Sequence, residues 1–237
     1  MAITPDWLSA QHQCRRVFPV RMADVPLLLD ARGACYLPQQ DWLVVSDLHL
    51  EKGSFLHSFG NPISGLDTRA TLLRLRSLIV DYSPDTVVCL GDSFHDSHSF
   101  SRISEDDQKL LSEVQNGIQD WVWIQGNHDP DIPETMGGRA IRTLTAGQVQ
   151  LAHEHEPDVE FQLIGHYHPK CQRSVRRHRF RGRCFLMTDK IMIMPAFGQY
   201  TGGLDINHEV LLGLAPRRHR RHYLLYDSCI YPPVKKP

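Results

Sequence analysis

The stretch 161-FQLIGHYHP-169 runs four mostly apolar residues into a glycine and then sets two histidines one residue apart. Side chains alternate across an extended chain, so His166 and His168 point to the same side. Taken alone, the pair fits either a surface position or two metal ligands held at one strand end. Histidine is abundant (14 in 237 residues), so a single one carries little information. The choice rests on whether the pattern recurs.

It recurs four times. The run 42-WLVV-45 is followed by Asp47 and His49, and 86-TVVCL-90 by Gly91 and Asp92. The run 121-WVWIQ-125 leads into Gly126, Asn127, His128 and Asp129, and 149-VQLA-152 into His153. Short continuous apolar runs predict strands covered on both faces. Open α/β sheets bind ligands beyond the carboxyl ends of their strands, and all five polar clusters fall there. Helices fit between the strands. In 66–82, Leu72, Leu75, Ile79 and Tyr82 form one amphipathic face, with Asp67 expected as N-cap. The segment 104-SEDDQKLLSEVQNG-117 opens with a Ser-x-x-Asp capping pattern and stops at Gly117. The stretch 53-GSFLHSFGNPISG-65 reads as a loop beside the site. After Pro169, 184-CFLMTDKIMIMPAFG-198 predicts a hairpin around Thr188-Asp189-Lys190, and 223-YLLY-226 a closing strand. No repeat or composition break divides the chain, so residues 1–237 are expected to form a single domain.

Composition narrows the class. An apolar fraction of 41% and a charged fraction of 22% are those of an ordinary globular protein. A net charge of −1 leaves no global field to attract nucleic acid or membrane. The N-terminal MAITPDWLSAQHQCRR lacks the apolar core of a signal peptide, and no run approaches the ~20 residues of a bilayer span. The six cysteines show no CxxC spacing, and Cys89 sits in a strand-like run as a small hydrophobe. Reduced thiols in a cytoplasmic protein without a membrane partner are the expectation.

Two divalent ions about 3.5–4 Å apart need a bridging carboxylate and mixed nitrogen and oxygen ligands. Asp-x-His, Gly-Asp, Gly-Asn-His-Asp and Gly-His-x-His, in that order, supply such a set. The series 46-SDLHLEKGS-54, 91-GDSFHD-96, 126-GNHDP-130, His153 and 165-GHYHP-169 resembles the motifs of the calcineurin-like metallophosphoesterases. That resemblance implies an α/β fold, a two-sheet sandwich flanked by helices with a dimetal site at the C-terminal strand ends. It implies Asp47, His49 and His168 on one metal, Asn127, His153 and His166 on the other, and Asp92 between them. His128 is then the catalytic residue that meets the substrate phosphate as acid or charge stabiliser. In 153-HEHEP-157 both His153 and His155 are open as the ligand, and His153 is favoured because it directly follows the apolar run. A ligand set without thiolate suits two Mn²⁺ ions, or Fe, and tolerates Zn²⁺.

The substrate is less legible. Where protein phosphatases of the family carry an aspartate three residues after the bridging one, this chain has His95, as in the family's double-strand-break repair nucleases, and His95 is therefore a second candidate catalytic residue. Lipid-precursor hydrolases of the family usually lack the histidine of Gly-Asn-His, so His128 counts against them. The segments 51-EKGS-54, 67-DTRATLLRL-75 and 194-MPAFGQYTGGLDIN-207 resemble the ligase-associated DNA-damage-response branch of the family. That branch implies a manganese-dependent DNA endonuclease or phosphodiesterase working with a DNA ligase, a helicase and an exonuclease. From the residues themselves, 170-KCQRSVRRHRFRGRC-184 carries six arginines and a lysine with no acid. Such a run either neutralises phosphates, with Arg173, Arg176 and Arg177 as contacts and Phe180 stacking on a base, or is a solvated face. A second basic cluster is 217-RRHRRH-222. Lys52 and His57 are further candidate substrate contacts, and Gly198, Gly202 and Gly203 either roof the site or serve packing. A phosphodiesterase or phosphomonoesterase on a small molecule, and a non-catalytic scaffold, are the competing readings.

Overall fold

The computed structural model describes residues 3–61, 63–175 and 178–233. Helix α1 (Pro5–Gln13) precedes an antiparallel meander of β1 (Val17–Met22), β2 (Val25–Asp30), β3 (Cys35–Leu37) and β4 (Trp42–Val45). The sheet then continues in parallel through β5 (Thr86–Leu90), β6 (Asp120–Ile124) and β7 (Arg139–Ile141). Helices α2 (Lys52–Ser58) and α3 (Asp67–Tyr82) link β4 to β5, and α4 (Ser99–Arg102) and α5 (Glu105–Gln115) link β5 to β6.

The second sheet is built from β8 (Leu144–Ala146), β9 (Val149–Ala152), β10 (Phe161–Ile164), β11 (Lys170–Val175), β12 (His178–Met187), β13 (Ile191–Ile193), β14 (Arg221–Tyr226) and β15 (Cys229–Tyr231), with α6 (Glu209–Leu214) before β14. Its spatial order is β15-β14-β12-β13-β10-β9-β8, with β11 paired to β12.

Each central run divides its side chains between two cores, which is why it reads as continuously apolar. Val44, Val88, Leu90, Val122 and Ile124 face the second sheet and meet Leu151, Leu163, Phe185 and Met187. Their neighbours Leu43, Val45, Val87, Cys89, Trp121 and Trp123 face outward onto Leu72, Leu75, Leu78 and Leu111 of α3 and α5. On the far side, Ile164, Cys184 and Leu186 pack beneath Leu211 of α6. The layers are therefore helix, sheet, sheet, helix, as the family resemblance implies. At roughly 1.5–3 kcal/mol per fully buried large apolar side chain, these faces hold the two sheets together. All six cysteines are free thiols.

Several expectations need correction. Asp67 is the first residue of α3, not its N-cap; Leu66 holds that position, and the Asp67 carboxylate instead accepts the Gly53 N–H at 2.8 Å. The stretch from Gly53 is not all loop, because α2 occupies it up to Ser58. Its glycines and proline masked a helix whose start is fixed from outside, by Asp67. The meander β1–β3 is absent from the sequence reading, since Pro19 and Pro26 interrupt its short strands. Ser104 does cap α5, accepting the Asp107 N–H at 3.2 Å. The arginine-bearing segment is a β-hairpin of β11 and β12, so alternate residues face opposite ways.

Candidate metal centre

Every polar cluster begins within two residues of a strand end, and the backbone there is unusual. Asp47, His49, Asp92, His166 and His168 have φ of +53°, +43°, +46°, +65° and +45°. Left-handed backbone costs an L-residue roughly 1–2 kcal/mol, so five instances at one place need strong support. Hydrogen bonds between the loops supply it. Asp47 N–H donates to Gly91 O (3.2 Å), His49 N–H to Asp92 O (2.9 Å) and Gly198 N–H to Asp47 O (3.0 Å). His166 N–H donates to the Asp47 carboxylate at 3.2 Å.

The side chains then converge as two donor groups. In the first, His168 Nε2 lies 3.1 Å from Asp47 Oδ1 and 3.4 Å from His49 Nε2. In the second, His153 Nε2 lies 3.4 Å from Asp92 Oδ1, 3.2 Å from His166 Nδ1 and 3.0 Å from Asn127 Oδ1. Within Asp47/His49/His168 and within Asp92/His153/His166 the donor atoms all fall inside 4.8 Å of one another. Asp92 stands between the groups, with Oδ1 toward His153 and Oδ2 4.0 Å from His49 Nε2. Of the two histidines in 153-HEHEP-157, His153 turns into this group, and its Nδ1 meets the Leu90 carbonyl at 3.2 Å, which leaves Nε2 free. His155 lines the groove beside it, with Arg142 and Glu154.

His128 belongs to neither group. Its Nδ1–H donates to the His95 carbonyl at 2.8 Å, its N–H donates to Asp92 Oδ1 at 3.0 Å, and Nε2 stands 4.0 Å from Asp92 Oδ2. With its side chain 41% exposed, it faces a molecule approaching from solvent. The His95 ring is stacked on it at 5.4 Å and edges onto Phe55 at 4.5 Å. Burial, aided by Lys52, pushes His95 down to about 4, so its ring is neutral at pH 7.

The donors fit divalent cations. Burial favours the neutral form of Asp47 and Asp92, but the surrounding imidazoles reverse this and hold both carboxyls below the ordinary carboxylate range. Burial pushes His49 down to about 3, so it offers a lone pair. Burial opposes charge on His153 as well, yet Asp92 and Asp47 override it and push the ring up to about 9. In each group two ring nitrogens and a carboxylate oxygen aim at one point with no thiolate, a mixed set that suits a divalent metal.

Three supports went unassigned in the sequence. Asp129 is buried, and its carboxylate accepts the N–H groups of Ser93 (2.7 Å), Phe94 (3.0 Å) and Gly126 (3.1 Å), fixing the Asp92 and Asn127 loops to each other. Glu51 accepts the Thr68 hydroxyl at 2.8 Å and the Ser54 hydroxyl at 2.7 Å. Phe197 N–H donates to Ser46 O at 2.7 Å. The three segments that resemble one branch of the family thus meet around the first donor group. Their charged and glycine residues were the available signal. Lys52 is half-buried beside Asp47 and Asp92, whereas His57 is exposed at the end of α2.

The arginines divide. Arg176 and Arg177 lie outside the described residues. Arg173, expected to contact substrate, points the other way: it donates to Pro232 O at 3.0 Å and lines a hollow with Phe180, Leu224, Tyr226 and Tyr231. Phe180 packs edge-on against Tyr226 at 5.0 Å, so it is not free to stack on a base. Arg183 donates to Ala196 O at 2.6 Å.

Gly91 has φ +73°, and a Cβ there would sit 2.2 Å from His153 Nδ1. Gly91→Ala should therefore cost at least the roughly 1–2 kcal/mol of left-handed backbone and also displace the His153 ring. Thermal unfolding of the ion-free variant reads the first effect and metal titration the second. Parent values in both would show that the ring has room to move.

A model of the calcineurin-like phosphoesterase family matches residues 42–161, a span of 120 in a chain of 237. Among solved structures, the chain is similar to nuclease MPE of Pseudomonas putida, at 26% identity and a TM-score of 0.71 over 92% of this chain and 100% of that one. It is also similar to YfcE, a phosphoesterase from E. coli, at 13% identity and a TM-score of 0.41 over 78% of this chain and 88% of that one. No curated protein sequence matches it.

Proposed function

The chain belongs to the calcineurin-like phosphoesterase family and is a metal-dependent phosphoester hydrolase, and we propose that it is a manganese-dependent DNA endonuclease. Asp92 carries the two-ion part of this reading, because its two carboxylate oxygens address two separate donor groups. Bound ions supply Lewis-acid stabilisation of the phosphoryl charge and make water a nucleophile at neutral pH. Asp47, His49 and His168 would hold one, and Asn127, His153 and His166 the other. His128, oriented through Nδ1 by the His95 carbonyl, presents Nε2 to the leaving oxygen or to the developing charge. Likeness to nuclease MPE along that protein's whole length supports a nucleic acid as the substrate, and DNA follows from the branch of the family that the chain resembles. Work in the cytoplasm beside a DNA ligase, a helicase and an exonuclease follows from the branch of the family that the chain resembles. Among the described residues no helix is long and apolar enough to cross a membrane.

The test strips the purified protein with a chelator and restores Mn²⁺, Fe²⁺, Zn²⁺ or Mg²⁺ separately. Linear and circular DNA, single-stranded and duplex, are assayed beside bis-p-nitrophenyl phosphate. The expected result is no turnover when stripped, and cleavage of both DNA and the small diester with Mn²⁺. Cleavage of the small diester with every DNA left intact would replace the nuclease reading by that of a small-molecule phosphodiesterase.

A further inference from the structure

The register of the β11–β12 hairpin decides which basic residues share a face. Lys170 pairs with Arg183, Gln172 with Arg181 and Ser174 with Arg179, and directly opposed residues lie on one face. Further along β12, Phe185 and Met187 have the same parity as these arginines and belong to the core between the sheets. Cys184 and Leu186 have the other parity and belong to the outer core, with Cys171. Arg179, Arg181 and Arg183 therefore continue the inner face of the second sheet. β12 runs antiparallel to β13, which is parallel to β10, so its first half projects beyond the strand ends that carry His166 and His168.

This face joins the metal centre. Lys170 follows His168 by two residues and lies opposite Arg183 in the hairpin. Phe197, whose carbonyl accepts from Arg183, donates its own N–H to Ser46 O at 2.7 Å, and Gly198 N–H donates to Asp47 O at 3.0 Å, which ties the hairpin to the strand end that carries Asp47. Arg183 is anchored on the Ala196 and Phe197 carbonyls and Lys170 on the Thr201 carbonyl at 3.0 Å. Arg179 and Arg181 are exposed, and the side chain of neither has a hydrogen-bond or ion-pair partner among the described residues. Side chains two residues apart on a strand repeat every ~6.6–6.8 Å, comparable with the separation of successive phosphates along an extended polynucleotide.

We propose that one strand of the nucleic acid leaves the metal centre along this inner face, its successive phosphates meeting Lys170, Arg181 and Arg179. The inference rests on the DNA reading above and adds to it the surface that selects a polymer over a small ester. Arg173 has no part in it.

The test compares the double variant Arg179→Gln/Arg181→Gln with Arg173→Gln, by fluorescence anisotropy of a labelled single-stranded oligonucleotide over a range of salt concentrations. Two lost phosphate contacts should flatten the slope of log affinity against log salt by about 1.4, at roughly 0.7 per single-strand phosphate. Arg173→Gln should keep the parent slope. An unchanged slope in the double variant, or an equal change in Arg173→Gln, overturns the track. If the unaltered protein hydrolyses bis-p-nitrophenyl phosphate but binds no oligonucleotide, the DNA reading itself has failed and the track falls with it. If it cleaves DNA while the double variant binds like the parent, only the track has failed.

Discussion

Asp92→Ala is expected to lower phosphodiester turnover by at least about 10³-fold and to reduce the bound metal below two ions per chain. The several kcal/mol that metal-assisted charge stabilisation supplies correspond to about that factor, at 1.36 kcal/mol per tenfold. Asp92 presents one carboxylate oxygen to each donor group, so its loss weakens both, whereas loss of His168 or His166 weakens one. The same carboxylate accepts the His128 N–H, so the truncation also releases the residue that meets substrate. Elemental analysis and turnover are measured together, with Asp92→Asn as companion because it keeps the volume and that acceptor. Two ions and near-parent turnover in the alanine variant would remove Asp92 from the centre.

His128→Ala should have the opposite profile, with both ions retained and turnover down about 10²-fold or more, the scale of one positioned general acid. Its Nε2 lies outside both donor groups and its ring is fixed by a backbone carbonyl. His95→Ala leaves that carbonyl in place, so the orientation of His128 should survive it. A loss of metal in His128→Ala as large as in His166→Ala would make His128 a ligand.

The strand ends were legible because a covered strand advertises itself as an unbroken apolar run, and a charged or imidazole residue just past such a run has few structural reasons to be there. The candidate ligands at residues 47, 49, 92, 127, 153, 166 and 168 are gathered by the fold into two groups. Pairing was harder to read. Nothing local says that the loops after β4, β5 and β6 face those after β9 and β10 across a sandwich. Nor does a run of arginines announce strand alternation, which sends Arg173 to one side and Arg179 and Arg181 to the other. Asp129 and Asp67 look like ordinary turn and cap residues, and their work is done at a distance, on the backbone of Ser93 and Gly53.

The centre draws on both sheets at each of its halves. The first joins Asp47 and His49 to His168, and the second joins Asp92 and Asn127 to His153 and His166. His49 and His168 lie 119 positions apart, so an ion held by their group would join parts of the chain whose meeting is entropically costly. A chain still emerging from the ribosome, or one whose C-terminal half has come undone, holds only fragments of each half-site. Hydrolytic power would thus be withheld until the loop after β10 is docked against the first sheet. A copy whose two sheets have not met would be silent toward phosphodiesters.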